Sequence, residues 1–138
     1  MTNNQDINII AVDFDAVINP YKVGFMGWDK IPEEPISGCK EVLTQLRNHG
    51  WKIIIHSVRA KHLKGYEALN RYLRKYRIPF DEIWRSPGKP RAEIYLDDRA
   101  LKFEGNWYDT YNQIKNFETY QGKIRDDSYN KYFDEGDL

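Results

Sequence analysis

One cysteine, Cys39, is all that the chain contains. No disulfide can form within it, a reducing compartment is the natural setting, and Cys39 itself reads as a core residue. Net charge is missing as well: 21 Lys and Arg balance 21 Asp and Glu. The whole-chain field therefore neither gathers nor repels polyanions, and nucleic acid would need a local basic patch. There is no run of about 18 apolar residues. The amino end, Met1-Thr2-Asn3-Asn4-Gln5-Asp6, lacks the basic and apolar sequel of a secretory leader. These absences set aside membrane-spanning and disulfide-scaffold classes, and the expectation is a soluble, unexported, cytoplasmic protein. No internal repeat or low-complexity block occurs. The 138 residues suit one compact domain, expected over residues 1–118, with a C-terminal tail over 119–138.

What is present is organised around Ile9-Ile10-Ala11-Val12-Asp13-Phe14-Asp15-Ala16-Val17-Ile18-Asn19. A run of β-favouring apolar residues leads into two acids one residue apart, the pattern of a buried strand that delivers charge at its carboxyl end. An unpaired carboxylate in apolar surroundings costs several kcal/mol, so Asp13 and Asp15 imply a cation or a reactive partner.

The rest of the chain alternates. Residues 7–12 read as a central strand covered on both faces. Residues 20–37, with Gly24, Gly27, Pro32 and Pro35 among Tyr21, Phe25, Met26 and Trp28, read as an ordered loop beside the acids. Cys39, Val42, Leu43 and Leu46 follow helical spacing, opened by Ser37-Gly38 and closed by His49-Gly50. Residues 51–56 form a second strand that runs into Ser57-Val58-Arg59. Leu63, Tyr66, Leu69, Leu73 and Tyr76 mark a second helix with Lys64, Arg71, Arg74 and Lys75 on its other face. A short strand over 82–85, a loop with Lys89 and a strand over 93–96 ending in Asp97-Asp98-Arg99 follow. The last helix is expected over about 107–117, and the tail beyond Tyr120 is expected either to fray or to dock its aromatics on a neighbouring subunit.

Strands alternating with helices predict an α/β fold with a mostly parallel sheet. Ligands of such sheets bind beyond the carboxyl ends of the strands, where strand order reverses, and that rule gathers Asp13, Asp15, Ser57 and Asp97 at one edge. Three carboxylates, a hydroxyl and Lys89 together suit phosphoryl transfer. Hard oxygen ligands favour magnesium, with Asp13 and Asp97 as the natural pair. A fixed carboxylate can attack phosphorus, and a second acid can protonate the leaving group and then activate water. Ser57 and Lys89 can bind the transferring oxygens by hydrogen bond and by charge.

Asp13-Phe14-Asp15-Ala16-Val17, Ser57, Lys89 and Asp97-Asp98 resemble the four motifs of the haloacid dehalogenase superfamily, over residues 7–117. The resemblance implies a three-layer Rossmann-like fold. It also implies Asp13 as nucleophile and Asp15 as general acid and base with its backbone carbonyl on magnesium. Ser57 and Lys89 become phosphate ligands, Asp97 a metal ligand, and Asp98 a second ligand or its support. Ala16 and Val17 stand where Gly and Thr are common. The segments between the motifs hold no cap domain, which in this superfamily implies an open site that accepts a macromolecular end or is closed by another subunit of a homo-oligomer.

Plainer readings stand beside these. Ser57 alone reads better as a cap, Lys89 as a solvated lysine, and Asp97-Asp98-Arg99 as a surface ion-pair group in which Arg99 pairs with a neighbouring acid. Arg59 is either a phosphate-binding substrate contact or a structural partner of a motif acid. His49, His56 and His62 lack metal-ligand spacing. Tyr21, Phe25 and Trp28 read as a packed loop first and a base-stacking platform second. The expected function is a magnesium-dependent phosphatase acting on a phosphomonoester, either a phosphorylated small molecule or a nucleic-acid end. The leading rival among enzymes is a polynucleotide end-processing phosphatase, favoured by an open site and by the basic face of Lys61, Lys64, Arg71, Arg74 and Lys75, a face that is usually a solvated helix surface. From another class, the rival is a binding or scaffold protein that retains the fold without turnover.

Overall fold

The computed structural model describes residues 8–122; most of the expected tail lies outside them. The chain divides into two compact units, Met1–Asp97 and Asp98–Leu138.

The first unit holds β1 (Asn8–Val12), α1 (Cys39–Asn48), β2 (Trp51–Ile55), a short 3-10 turn (Val58–Lys61), α2 (Leu63–Lys75), β3 (Glu82–Ile83) and β4 (Ile94–Leu96). The strands form one sheet in the order β3-β2-β1-β4, and every neighbouring pair is parallel. Successive strands step to one side of β1 until β4, which pairs with its other edge. The order therefore reverses between β1 and β4, the crevice where α/β sheets bind ligands.

Alternation along the strands decides what each face does. Ile10 and Val12 of β1 and Ile53 and Ile55 of β2 are in register and join Leu43 of α1 and Leu69 and Leu73 of α2 in one buried cluster. Both helices thus cover the same face. Ala11 and Ile54, which point the other way, are only 2% and 3% exposed, so these two strands are covered on both faces, as their unbroken apolar runs predict. The protein has the expected α/β, Rossmann-like architecture. The connection from Asp15 to Ser57 is filled by a loop, α1 and β2, and that from Ser57 to Lys89 by the 3-10 turn, α2 and β3.

Two expected core positions differ. Val42 and Leu63 are 58% and 62% exposed. In α1 the inward stripe is narrow, with Leu43 buried and Cys39 and Leu46 packed beside it. In α2 the buried face is Gly65, Ala68, Leu69, Tyr72 and Leu73, and Leu63 is only the first helical residue. Small Gly65 and Ala68 carry part of that stripe, which a reading of large apolar residues passes over.

In the second unit, α3 (Trp107–Lys115) is capped by Asn106, whose Oδ1 accepts the N–H groups of Tyr108 and Asp109 at 2.9 and 3.0 Å. Its inward residue is Thr110, whereas Trp107 is 72% exposed. Among the described residues no helix is long and apolar enough to cross a membrane.

Candidate functional site

Register builds the site. Val12 of β1 pairs with Ile55 of β2 on one side and Leu96 of β4 on the other. His56, Asp13 and Asp97 therefore each stand one residue beyond the same rung. Backbone hydrogen bonds carry the ladder past it: the His56 N–H donates to the Val12 carbonyl at 2.8 Å and the Asp13 N–H to the Leu96 carbonyl at 2.9 Å. Parallel neighbours lie about 4.8 Å apart, so Asp13 and Asp97 must converge. One carboxylate oxygen of each lies within 4.8 Å of the other. Two hard anionic oxygens at that spacing suit a small divalent cation, so this pair is a candidate metal site. Asp98, the next residue and the first of the second unit, pairs with Arg99 at 3.8 Å, as expected for that arginine.

Beyond Asp13 the chain folds back tightly. The N–H groups of Val17, Ile18 and Asn19 all point at the Phe14 carbonyl, at 3.2, 2.8 and 3.2 Å. Phe14 and Ile18 are fully buried in the core cluster, while Asp13 and Asp15, on alternate positions, are half-buried. The apolar residues anchor the turn, and their spacing turns both acids the opposite way. Ala16 sits at φ 67, a left-handed conformation that glycine adopts freely and alanine at a cost of about 1–2 kcal/mol. The turn keeps a backbone suited to glycine although the residue is alanine.

Asp15 is held from two sides. Asn19 Nδ2 donates to its Oδ1 at 2.9 Å, and Arg59 Nε donates to Oδ1 and Oδ2 at 3.1 and 2.9 Å. Arg59 is 2% exposed, and its NH1 donates to the Gly27 and Trp28 carbonyls at 3.0 and 2.8 Å. Of its two sequence readings, the structure realises the partner of a motif acid, because the guanidinium is buried and engaged on Asp15 and the loop. The arginine fastens the aromatic loop to the acid. Within that loop Phe25 packs edge-on to Trp28 at 4.8 Å, and Trp28 stacks on His62 at 3.9 Å. The loop is packed, as first read, while Phe25 keeps 54% of its surface in water.

Ser57, 5% exposed, caps the 3-10 turn: its Oγ accepts the Arg59 N–H at 3.1 Å. The capping role read from sequence is thus present. Lys89 lies over the Tyr95 ring of β4 at 4.1 Å. His56 has its imidazole pKa pushed down by burial, with Lys61 and Lys89 adding to the effect and Asp97 opposing it. Lys89 and Asp97 of the motif set, together with Lys61, therefore act on the residue that follows β2. His49 ends α1 and His62 precedes α2, which agrees with their lack of ligand spacing.

Two supporting residues escaped the sequence reading. Asn19 is 3% exposed and braces Asp15; its only signal was its place four residues after that acid. Gly65 lies so close to the 3-10 turn that a Cβ there would stand 2.1 Å from the Arg59 carbonyl oxygen. Nothing local marks it, since the contact joins two different elements.

No protein-family model matches this sequence, and no curated protein matches it. Among solved structures, the chain is similar to a conserved protein from Bacteroides thetaiotaomicron, with 25% identity and a TM-score of 0.53 over 88% of this chain and 100% of that one. It also resembles a structural-genomics target from Vibrio cholerae, with 22% identity and a TM-score of 0.48 over 70% and 84% of the two chains. A third likeness is to a chain of a Pnkp1/Rnl/Hen1 complex, with 17% identity and a TM-score of 0.46, covering 83% of this chain and 36% of that one.

Proposed function

We propose that the protein is a magnesium-dependent phosphohydrolase of the haloacid dehalogenase type that cleaves a phosphomonoester through an aspartyl-phosphate. The observation that carries this reading is the convergence of Asp13 and Asp97 within 4.8 Å at the carboxyl ends of adjacent strands where strand order reverses. Asp15 two residues on, Ser57 beyond β2 and Lys89 before β4 complete the motif order.

Asp13 and Asp97 would hold the ion, with the Asp15 backbone carbonyl and Asp98 as further ligands. Bound there, magnesium supplies charge that offsets the phosphate's own and lets an anionic nucleophile approach. A carboxylate oxygen of Asp13 forms a bond to phosphorus as the bond to the leaving oxygen breaks, and Asp15 gives that oxygen its proton. Asp15 then takes a proton from water, whose oxygen displaces Asp13 from phosphorus and releases inorganic phosphate. Ser57 and Lys89 hold the equatorial oxygens. Arg59 in this reading holds the Asp15 carboxylate in place and is not a phosphate ligand.

The test is phosphate release from a panel of small phosphomonoesters and 3′- or 5′-phosphorylated oligonucleotides, with and without magnesium, using wild type and Asp13→Asn. Magnesium-dependent release that the substitution abolishes is the expected result. Magnesium binding without turnover on any panel member would instead favour a scaffold that retains the fold alone.

A further inference from the structure

A groove of about 530 Å³ runs along α2, lined by none of the motif residues, and the mechanism makes no use of it. One wall is Asp29, Ile31 and Pro32; the other is Ala68, Arg71, Tyr72, Lys75 and Tyr76 of the helix. Its size falls within the range of ligand sites. The first wall begins with the residue after Trp28, whose carbonyl Arg59 grips while it also holds Asp15. The groove is thus continuous in the chain with the loop beside the candidate site.

Arg71 and Lys75 stand one helical turn apart and both line it. Among the described residues neither has an acidic partner, and Arg71 has no hydrogen bond either. Lys75 rests over the Tyr76 ring at 5.1 Å, and the Tyr72 and Tyr76 rings meet at 4.8 Å. Tyr72 is buried in the core, so the ring open to a base is that of partly exposed Tyr76. Two cations without acidic partners beside it combine charge for a phosphodiester with a ring for a base, the pairing used by proteins that bind single strands. An acidic peptide would use the cations and leave the Tyr76 ring without a role.

We propose that this groove binds the phosphodiester backbone of a single-stranded nucleic acid, so that the substrate of the candidate site is a polynucleotide end. The substrate clause rests on the phosphohydrolase reading; the binding does not. At a rise of 1.5 Å per residue, Arg71 lies about 12 Å and Lys75 about 18 Å along α2 from its start. At about 3.4 Å per stacked nucleotide, a strand needs roughly four to five nucleotides to span that distance.

The test is fluorescence anisotropy with a dye-labelled oligothymidylate of about eight nucleotides that carries no terminal phosphate. The double variant Arg71→Gln with Lys75→Gln should bind about tenfold more weakly than wild type, with a salt slope shallower by about 1.4, two contacts at about 0.7 each. Arg74→Gln is the control, since Arg74 faces Asn70 and Phe80 instead, and should bind as wild type does. No binding by wild type, or equal binding by the double variant, overturns the proposal. So does competition by polyglutamate as strong as by unlabelled oligonucleotide, which would make the occupant an acidic peptide. In turnover, kcat/KM on end-phosphorylated oligonucleotides should rise up to about five nucleotides in wild type and stay flat in the double variant. Turnover with no length dependence overturns the polynucleotide-substrate clause alone, whereas groove binding with no turnover on any substrate sinks the hydrolase reading alone.

Discussion

Arg59 Nε donates to both carboxylate oxygens of Asp15, at 2.9 and 3.1 Å, while the same guanidinium holds the Gly27 and Trp28 carbonyls. One buried side chain couples the second acid of the site to the loop beside it. Removing Arg59 leaves half-buried Asp15 with the Asn19 bond and takes the guanidinium from the Gly27 and Trp28 carbonyls, which costs up to about 3–5 kcal/mol. Arg59→Ala should therefore lower the unfolding free energy by that order, and Arg59→Lys by less, since it keeps the charge and loses the fork. Chemical denaturation measures both; a loss below about 0.5 kcal/mol for alanine would mean that the contact is not maintained in solution.

Asp13→Asn removes the proposed nucleophile and should lower turnover by about a thousandfold or more. The substitution is close to isosteric on a half-buried residue, so stability should change little. A loss under about tenfold would assign the attack to another group. Asp15→Asn should slow turnover and keep magnesium affinity, because its metal contact is proposed through the backbone. Loss of magnesium binding on titration would contradict that division of roles.

Gly65 supports the same assembly from behind. A Cβ at this position would meet the Arg59 carbonyl oxygen at 2.1 Å, and because that atom is backbone, α2 or the 3-10 turn must shift. Gly65→Ala should cost about 1–3 kcal/mol or more, despite alanine's better helix propensity. A stabilised variant in thermal unfolding would show that the two elements do not pack this closely.

Arg77, just past α2, is exposed and sits at φ 56. Its N–H and that of Ile78 donate back to the Arg74 and Leu73 carbonyls, a helix ending that favours glycine. Arg77→Gly should raise the unfolding free energy by about 0.5–1 kcal/mol, the left-handed penalty less glycine's entropy in the unfolded chain. A lower melting temperature would contradict it.

Burial pushes the Cys39 thiol up from 9.0 to about 11, with Glu41 adding to the effect. The thiol should alkylate with iodoacetamide roughly a hundredfold more slowly in the folded chain than in the denatured chain near pH 8, following the thiolate fraction. A raised pKa means that the folded state holds its proton longer. Its contribution to stability is therefore whole below about 9 and is lost as pH climbs towards about 11. Equal folded and denatured alkylation rates would refute the assignment.

The places of Asp13 and Asp97 at strand ends were readable because the apolar period of each strand is local. Ile9 to Val12 announces a buried strand, and Asp13 must then emerge at its end. The limits of α1 were readable for a similar reason, since Gly38 and Gly50 stand at its ends. The exposure of Val42 and Leu63 was not readable, because a periodic pattern states which residues share a face and not how wide the covered stripe is.

By itself, the sequence determined the alternation of strands and helices, the apolar rows that bury β1 and β2, and the placing of acids at strand ends, since all three depend on spacing along the chain. Only the tertiary structure decided that β4 pairs with β1 and brings Asp97 beside Asp13, that Arg59 turns to Asp15, and that Gly65 must lack a side chain. Those outcomes depend on which distant segments meet, and the energy of such contacts belongs to the pairing and to neither segment alone.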